Sequence, residues 1–157
     1  MTTPSDTPPP RSIDLEIEVP GTPEEVWEAI ATGPGASAWL HHTEVDEREG
    51  GRYAFDMGLG AGVNESGTVS GWDPPRRFAT EGVRWRPVGE APPALLATEW
   101  LIEARSGGTC VVRMVMTGFG TGAAWDDEID GVTQGMRAAL ESLRSYLSRS
   151  TAPATDR

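Results

Sequence analysis

Residues 13–19, IDLEIEV, alternate Ile13, Leu15, Ile17 and Val19 with Asp14, Glu16 and Glu18. A period of two puts the aliphatic side chains on one face and the carboxylates on the other, which predicts a half-buried strand. Pro20-Gly21 ends it. The next stretch, TPEEVWEAI, carries full helix-start punctuation. Thr22 is placed as the N-cap and Pro23 at the first helical position. Glu25 closes a T-x-x-E capping box, and Val26, Trp27 and Ile30 supply the apolar face. TGPG (32–35) predicts a break, and ASAWL one or two turns more.

From His42 onward the pattern is that of a meander. TEVDERE and GRYAFDM are split by Gly50-Gly51, with Tyr53, Phe55 and Met57 on one face. GLGAGVNES reads as a glycine-rich loop, GTVSGW as a strand and Asp73-Pro74-Pro75 as a turn. RFATEGVRW, the proline-rich RPVGEAPP, LLATEWLIEA, the tight RSGG and TCVVRMVMTGF follow. In the last of these Cys110, Val112, Met114 and Met116 point one way, and Arg113 and Thr117 the other. In the strand before it, Trp100 and Ile102 oppose Glu99 and Glu103.

The closing segment has the period of an amphipathic helix. Trp125, Ile129, Val132, Met136, Leu140, Leu143 and Leu147 recur at spacings of three and four. Asp126, Asp127, Glu128 and Asp130 crowd its start while Arg137, Arg144 and Arg149 come later, an order that suits the helix dipole. Gly131 and Gly135 interrupt it, either for close approach to a sheet or to leave room for a ligand. The element order predicts an α+β domain: one strand, two short helices, about six antiparallel strands and a long helix whose stripe must be buried on the sheet.

Taken together, TPEEVWEAI with Trp39 after it, GGRYAFDM, GTVSGWDPPRRF, GGTCVVRMVMTGF and the closing helix resemble the helix-grip superfamily of START domains, polyketide cyclases and birch-pollen-allergen-like proteins. Within it they are similar to the branch named for homologues of the heat-shock-protein-90 ATPase activator. The motifs stand in that family's order over nearly the whole folded unit. The resemblance implies a helix-grip fold: a curved antiparallel sheet of about seven strands around a long C-terminal helix, with two short helices after the first strand. It also implies a hydrophobic cavity between sheet and helix that binds lipids, polyketides or other apolar molecules, and it supplies no shared catalytic residues.

Composition narrows the partners. With 24 acidic against 13 basic residues the net charge is −11, a poor match to nucleic acid or an anionic membrane surface. Every basic residue is arginine, so Schiff-base chemistry and a lysine-anchored phosphate loop are excluded. Cys110 is the lone cysteine, which points to a reducing cytoplasm, and no apolar run reaches the roughly 18 residues of a membrane helix. Residues 1–11 read as a disordered leader, 12–149 as one folded domain and 150–157 as a disordered tail.

Candidate chemistry is sparse. His41 and His42 are adjacent, so their rings diverge and one metal rarely takes both, and no Cys or third His lies nearby. A ring that faces inward would serve as acid, base or hydrogen-bond donor; a surface or helix-end position is the ordinary alternative. GLGAGVNESG lacks the strand–turn–helix context of a dinucleotide fingerprint. WDDEIDG lacks calcium-loop spacing. Cys110 sits among valines without a local histidine, as an inert thiol does. Glu81 and Glu99 become cavity acids only if the strand parity is off by one.

The expectation is therefore a cavity for a small hydrophobic or amphipathic molecule, lined by Trp39, His42, Tyr53, Phe55, Met57, Trp100, Met114, Met116, Val132 and Met136, with no metal or cofactor. An enzyme acting on a polyketide-like substrate is one alternative, and a chaperone- or stress-related interaction module another. A homodimer is compatible with all three.

Overall fold

The alternation near the start of the chain forms strand β1 (Arg11–Pro20), with Ile13, Leu15 and Val19 buried. The computed structural model describes residues 11–56, 64–85 and 94–151. Met57, the GLGAG stretch and all of RPVGEAPP lie outside the described residues. Helix α1 (Pro23–Ala31) opens as its punctuation predicts. The Glu25 N–H donates to Thr22 Oγ1 at 3.1 Å, and the Thr22 N–H donates to Glu25 Oε1 at 2.8 Å. Two N–H groups that the first turn would leave unpaired are thereby satisfied.

Helix α2 (Gly33–Trp39) starts inside the stretch read as a breaker. Thr32 both ends α1 and caps α2: its hydroxyl donates to the Glu28 carbonyl at 2.7 Å and accepts from the Gly35 N–H at 3.0 Å. The elbow is tight enough that a Cβ on Gly35 would lie 1.9 Å from the Glu28 carbonyl oxygen. Only glycine fits there.

The remaining strands are β2 (His42–Val45), β3 (Arg52–Asp56), β4 (Asn64–Asp73), β5 (Arg77–Trp85), β6 (Ala94–Arg105) and β7 (Thr109–Phe119). They join β1 in one curled, seven-stranded antiparallel sheet of order β1-β7-β6-β5-β4-β3-β2. The strand expected over TEVDERE stops at Val45. Asp46 turns the chain instead, its backbone N–H and its carboxylate both engaging Arg52 backbone groups. Bulges shift the register between Val69 and Gly71 in β4, and between Thr80 and Val83 in β5.

On the concave face Trp27 of α1 packs edge-to-face on Trp72 and Phe78, with ring centroids at 5.0 and 6.2 Å. The convex face carries polar pairs. Arg113 pairs with Asp14, whose carboxyl it holds below the usual carboxylate range, and Arg77 pairs with Glu99.

The long helix α3 (Ala123–Thr151) lies across the concave face. Buried Trp125 anchors its start edge-to-face against Phe119, centroids 6.0 Å apart, and Arg11 reaches Asp126 at 2.6 Å. Gly131 and Gly135 are exposed, and a Cβ on either would meet nothing within 4 Å. Close packing against the sheet is therefore not what they serve. Each costs about 1 kcal/mol of helix propensity relative to alanine. Gly131→Ala and Gly135→Ala are each expected to stabilise the domain by up to that amount in urea denaturation. A loss of stability in either variant would show that the helix needs the glycine's backbone freedom.

Candidate functional site

The stripe on α3 changes character along its length. Leu140, Leu143 and Leu147 are buried, whereas Ile129, Val132 and Met136 are half-buried against the core. Among the described residues, α3 makes its closest backbone approaches to β1, α1 and α2, while strands β3 to β6 stay further off. The apolar face of the helix is therefore less completely covered in its first half than in its second. Trp85 reaches α3 from the sheet: its indole N–H donates to Glu128 Oε2 on α3 at 2.7 Å.

The expected cavity residues sort into three groups. Trp39, Tyr53, Met116, Val132 and Met136 are half-buried against the core. Phe55 and Trp100 are buried, at 9% and 7% exposure, and Met114 is fully enclosed. These last three form the floor under the half-buried set, and Met114 has no surface left to offer a ligand. Met57 lies outside the described residues. Trp39 is tied down through its indole N–H, which donates to the Ala29 carbonyl at 2.7 Å, and packs edge-to-face on Trp100.

The histidine assignment needs correction. His42 is exposed on the outer side of β2 and lies 3.2 Å from Glu44 Oε2. His41 is the ring that turns inward, stacked on Phe55 with centroids 4.8 Å apart and planes at 21°. Parity explains this: Thr43 is buried and pairs with inward Phe55, so His42 and Glu44 must face the other way. The same alternation is visible in HTEV itself.

The tautomer of His41 follows from its neighbour. Thr43 Oγ1 donates its single proton to the His41 carbonyl at 2.8 Å, so toward His41 Nδ1, at 3.2 Å, it can only accept. Nδ1 therefore carries the proton and Nε2 is an acceptor. Burial holds the imidazole below its ordinary value, against smaller opposing effects of backbone carbonyls and Asp56, which keeps the ring neutral at pH 7.

Tyr53 lies beside this ring, its own ring 5.8 Å from Phe55 and 6.2 Å from Phe78. It keeps solvent-accessible surface, yet burial pushes its phenol up to about 12. None of the described residues hydrogen-bonds its hydroxyl.

Other candidates resolve simply. Glu99 is on the convex face with Arg77, and Glu81 is exposed. Glu65 was not anticipated; its pairing opposite Phe55 puts it on the concave face. Cys110 is buried with its Sγ 3.4 Å from the Gly21 carbonyl, and burial pushes its thiol up, as suits an inert cysteine. Two grooves, of about 350 and 320 Å³, lie where the short helices meet the second half of α3. The larger is lined by Ala38, Trp39, Glu141, Ser142, Ser145 and Arg149, so Trp39 opens toward this groove. No described helix is long and apolar enough to cross a membrane.

A curled seven-stranded antiparallel sheet holding one long C-terminal helix, with two short helices after the first strand, defines a helix-grip domain of the SRPBCC type. The chain belongs to the family described as Activator of Hsp90 ATPase homolog 1-like protein, whose model matches residues 20–148. Among solved structures it is similar to protein MLL2253 from Mesorhizobium loti, at TM-score 0.77 and 18% identity, covering 90% of this chain and 100% of that one. The Aha1 dimer from Colwellia psychrerythraea gives TM-score 0.68 and 16% identity, over 90% and 99% of the two chains. The di-domain ARO/CYC BexL from the BE-7585A biosynthetic pathway gives TM-score 0.67 and 21% identity, over 91% of this chain and 48% of that one. At these identities the likeness is one of fold. No curated protein matches the sequence.

Proposed function

We propose that this domain binds a small hydrophobic or amphipathic molecule between the concave face of the sheet and the first half of α3. The observation that carries the reading is the half-buried apolar set Ile129, Val132 and Met136, facing a sheet whose Met116 and Tyr53 are likewise only partly covered. Packed cores do not leave such surface open without a use, because each uncovered Å² forgoes about 25 cal/mol. A mostly apolar concavity with a few polar groups is what a small-molecule site looks like.

Native mass spectrometry after gentle purification is expected to show a bound mass of small-molecule size, displaced by a neutral naphthalene dye. A protein that carries no such mass and takes up no dye would overturn the reading.

A further inference from the structure

We propose that the groove between α1 and the last turns of α3 binds an organic cation, a primary ammonium carried on a short apolar or aromatic body. This site is separate from the cavity proposed above, which lies under the first half of α3.

The groove holds about 320 Å³, at the small end of ligand pockets. Buried Ala29 and Leu147 close its base, while half-buried Tyr146 and exposed Pro34 present apolar surface to it. Its walls are fixed in advance. The Thr32 hydroxyl ties the Glu28 carbonyl to the Gly35 N–H, and the elbow has no room for a side chain at Gly35. A groove already ordered loses little entropy when a ligand enters.

The rim is acidic. Glu25 and Glu28 stand three residues apart on α1, so both exposed carboxylates lie on the side that faces the groove. Glu25 uses one oxygen on the Thr22 N–H, and the Glu28 carboxylate meets no donor among the described residues. No arginine lines the groove. The two arginines that flank Tyr146 on α3 are placed elsewhere: Arg144 pairs with Glu141, and Arg149 lines the neighbouring groove. The C-terminal end of α3 adds its own negative field, because the last carbonyls of a helix lack intrahelical donors.

This charge complements a cation. At a net −11 the chain draws cations toward it and repels anions. An ammonium at the rim meets two carboxylates and the Tyr146 ring, whose face attracts positive charge. Its head stays in water while its body covers Pro34 and the groove base. A neutral head gains only the apolar part, and a carboxylate head is repelled.

Titrations followed by backbone amide NMR test this, with the Ala29, Gly35 and Tyr146 amides as reporters. The probes are 2-phenylethylamine, 2-phenylethanol, methylamine and 3-phenylpropanoate. Phenylethylamine is expected to bind about tenfold tighter than the alcohol, and methylamine and phenylpropanoate to leave the reporters unmoved. Glu28→Gln should weaken the amine about threefold and change neither the alcohol's affinity nor the melting temperature. Glu25→Gln keeps the capping box, which accepts glutamine as well as glutamate, and should weaken the amine by a similar factor. The site is overturned if no probe binds, if the alcohol or phenylpropanoate matches the amine, or if both variants leave the amine's affinity intact. Shifts spread over the acidic surface without centring on the three reporters would overturn it as well. Should tetralysine displace the amine and bind more tightly, the groove docks a basic protein segment and the small-molecule assignment falls. Each of these failures leaves the cavity reading standing.

Discussion

Leu143→Ala is expected to destabilise the domain by about 2–5 kcal/mol, whereas Met136→Ala, two turns earlier on the same stripe, should cost about 1 kcal/mol or less. Both substitutions delete side chains of similar size, so the difference isolates the environment. Leu143 has no exposed surface and closes the core with Leu140 and Leu147. Its removal leaves a void whose lining loses dispersion partners and cannot collapse around it. Met136 is only half-covered, so truncation forfeits less buried area and merely widens an existing space. Urea denaturation of the two variants, with unchanged denaturant slopes, measures the contrast directly. Equal losses would mean that the first half of α3 is packed as tightly as the second and that no recess lies beneath it.

The contrast also marks how far sequence periodicity reaches. Spacings of three and four put Ile129, Val132, Met136, Leu140, Leu143 and Leu147 on one face, and they are there. Periodicity reports direction and is blind to depth. Whether an inward side chain meets another or stops short depends on how the sheet curls away from the helix, and that follows from strand register and bulges.

Local signals with local causes were legible for the same reason. The capping box at Thr22 and Glu25 and the alternation of β1 each involve atoms a few residues apart. The site was less so. Tyr53, Met116, Val132 and Met136 were readable as inward but not as partly covered, and Met114 is sealed two residues from Met116 by packing no pattern encodes. His41 could have been preferred to His42 from the parity of HTEV. The stacking on Phe55 that turns it inward, and the Thr43 hydroxyl that sets its tautomer, are visible only in three dimensions. Glu65 reaches the concave face through its pairing with β3, across a stretch of chain that reads from sequence as a loop.

Filling the recess should separate binding from folding more sharply than truncation does. Met116→Trp is expected to lower the affinity for the neutral naphthalene dye by roughly a hundredfold while leaving the melting temperature unchanged or raised. The size of that loss corresponds to about 2.7 kcal/mol of displaced contact. Met116 sits on β7 between Ile13 of β1 and Thr98 of β6, its side chain half-buried on the concave face. An indole there has open space to enter, so it covers apolar surface already exposed and strains nothing. Met114→Trp is the control, on the same strand and the same face but fully enclosed. There the added volume must push Leu15 and Trp100 off their positions, an overpacking that typically costs about 1–3 kcal/mol. One substitution of the same kind therefore stabilises or destabilises according to whether a recess is present. If Met116→Trp lowers the melting temperature as much as Met114→Trp does, the concave face is filled at both positions, and the proposed cavity has nowhere to be.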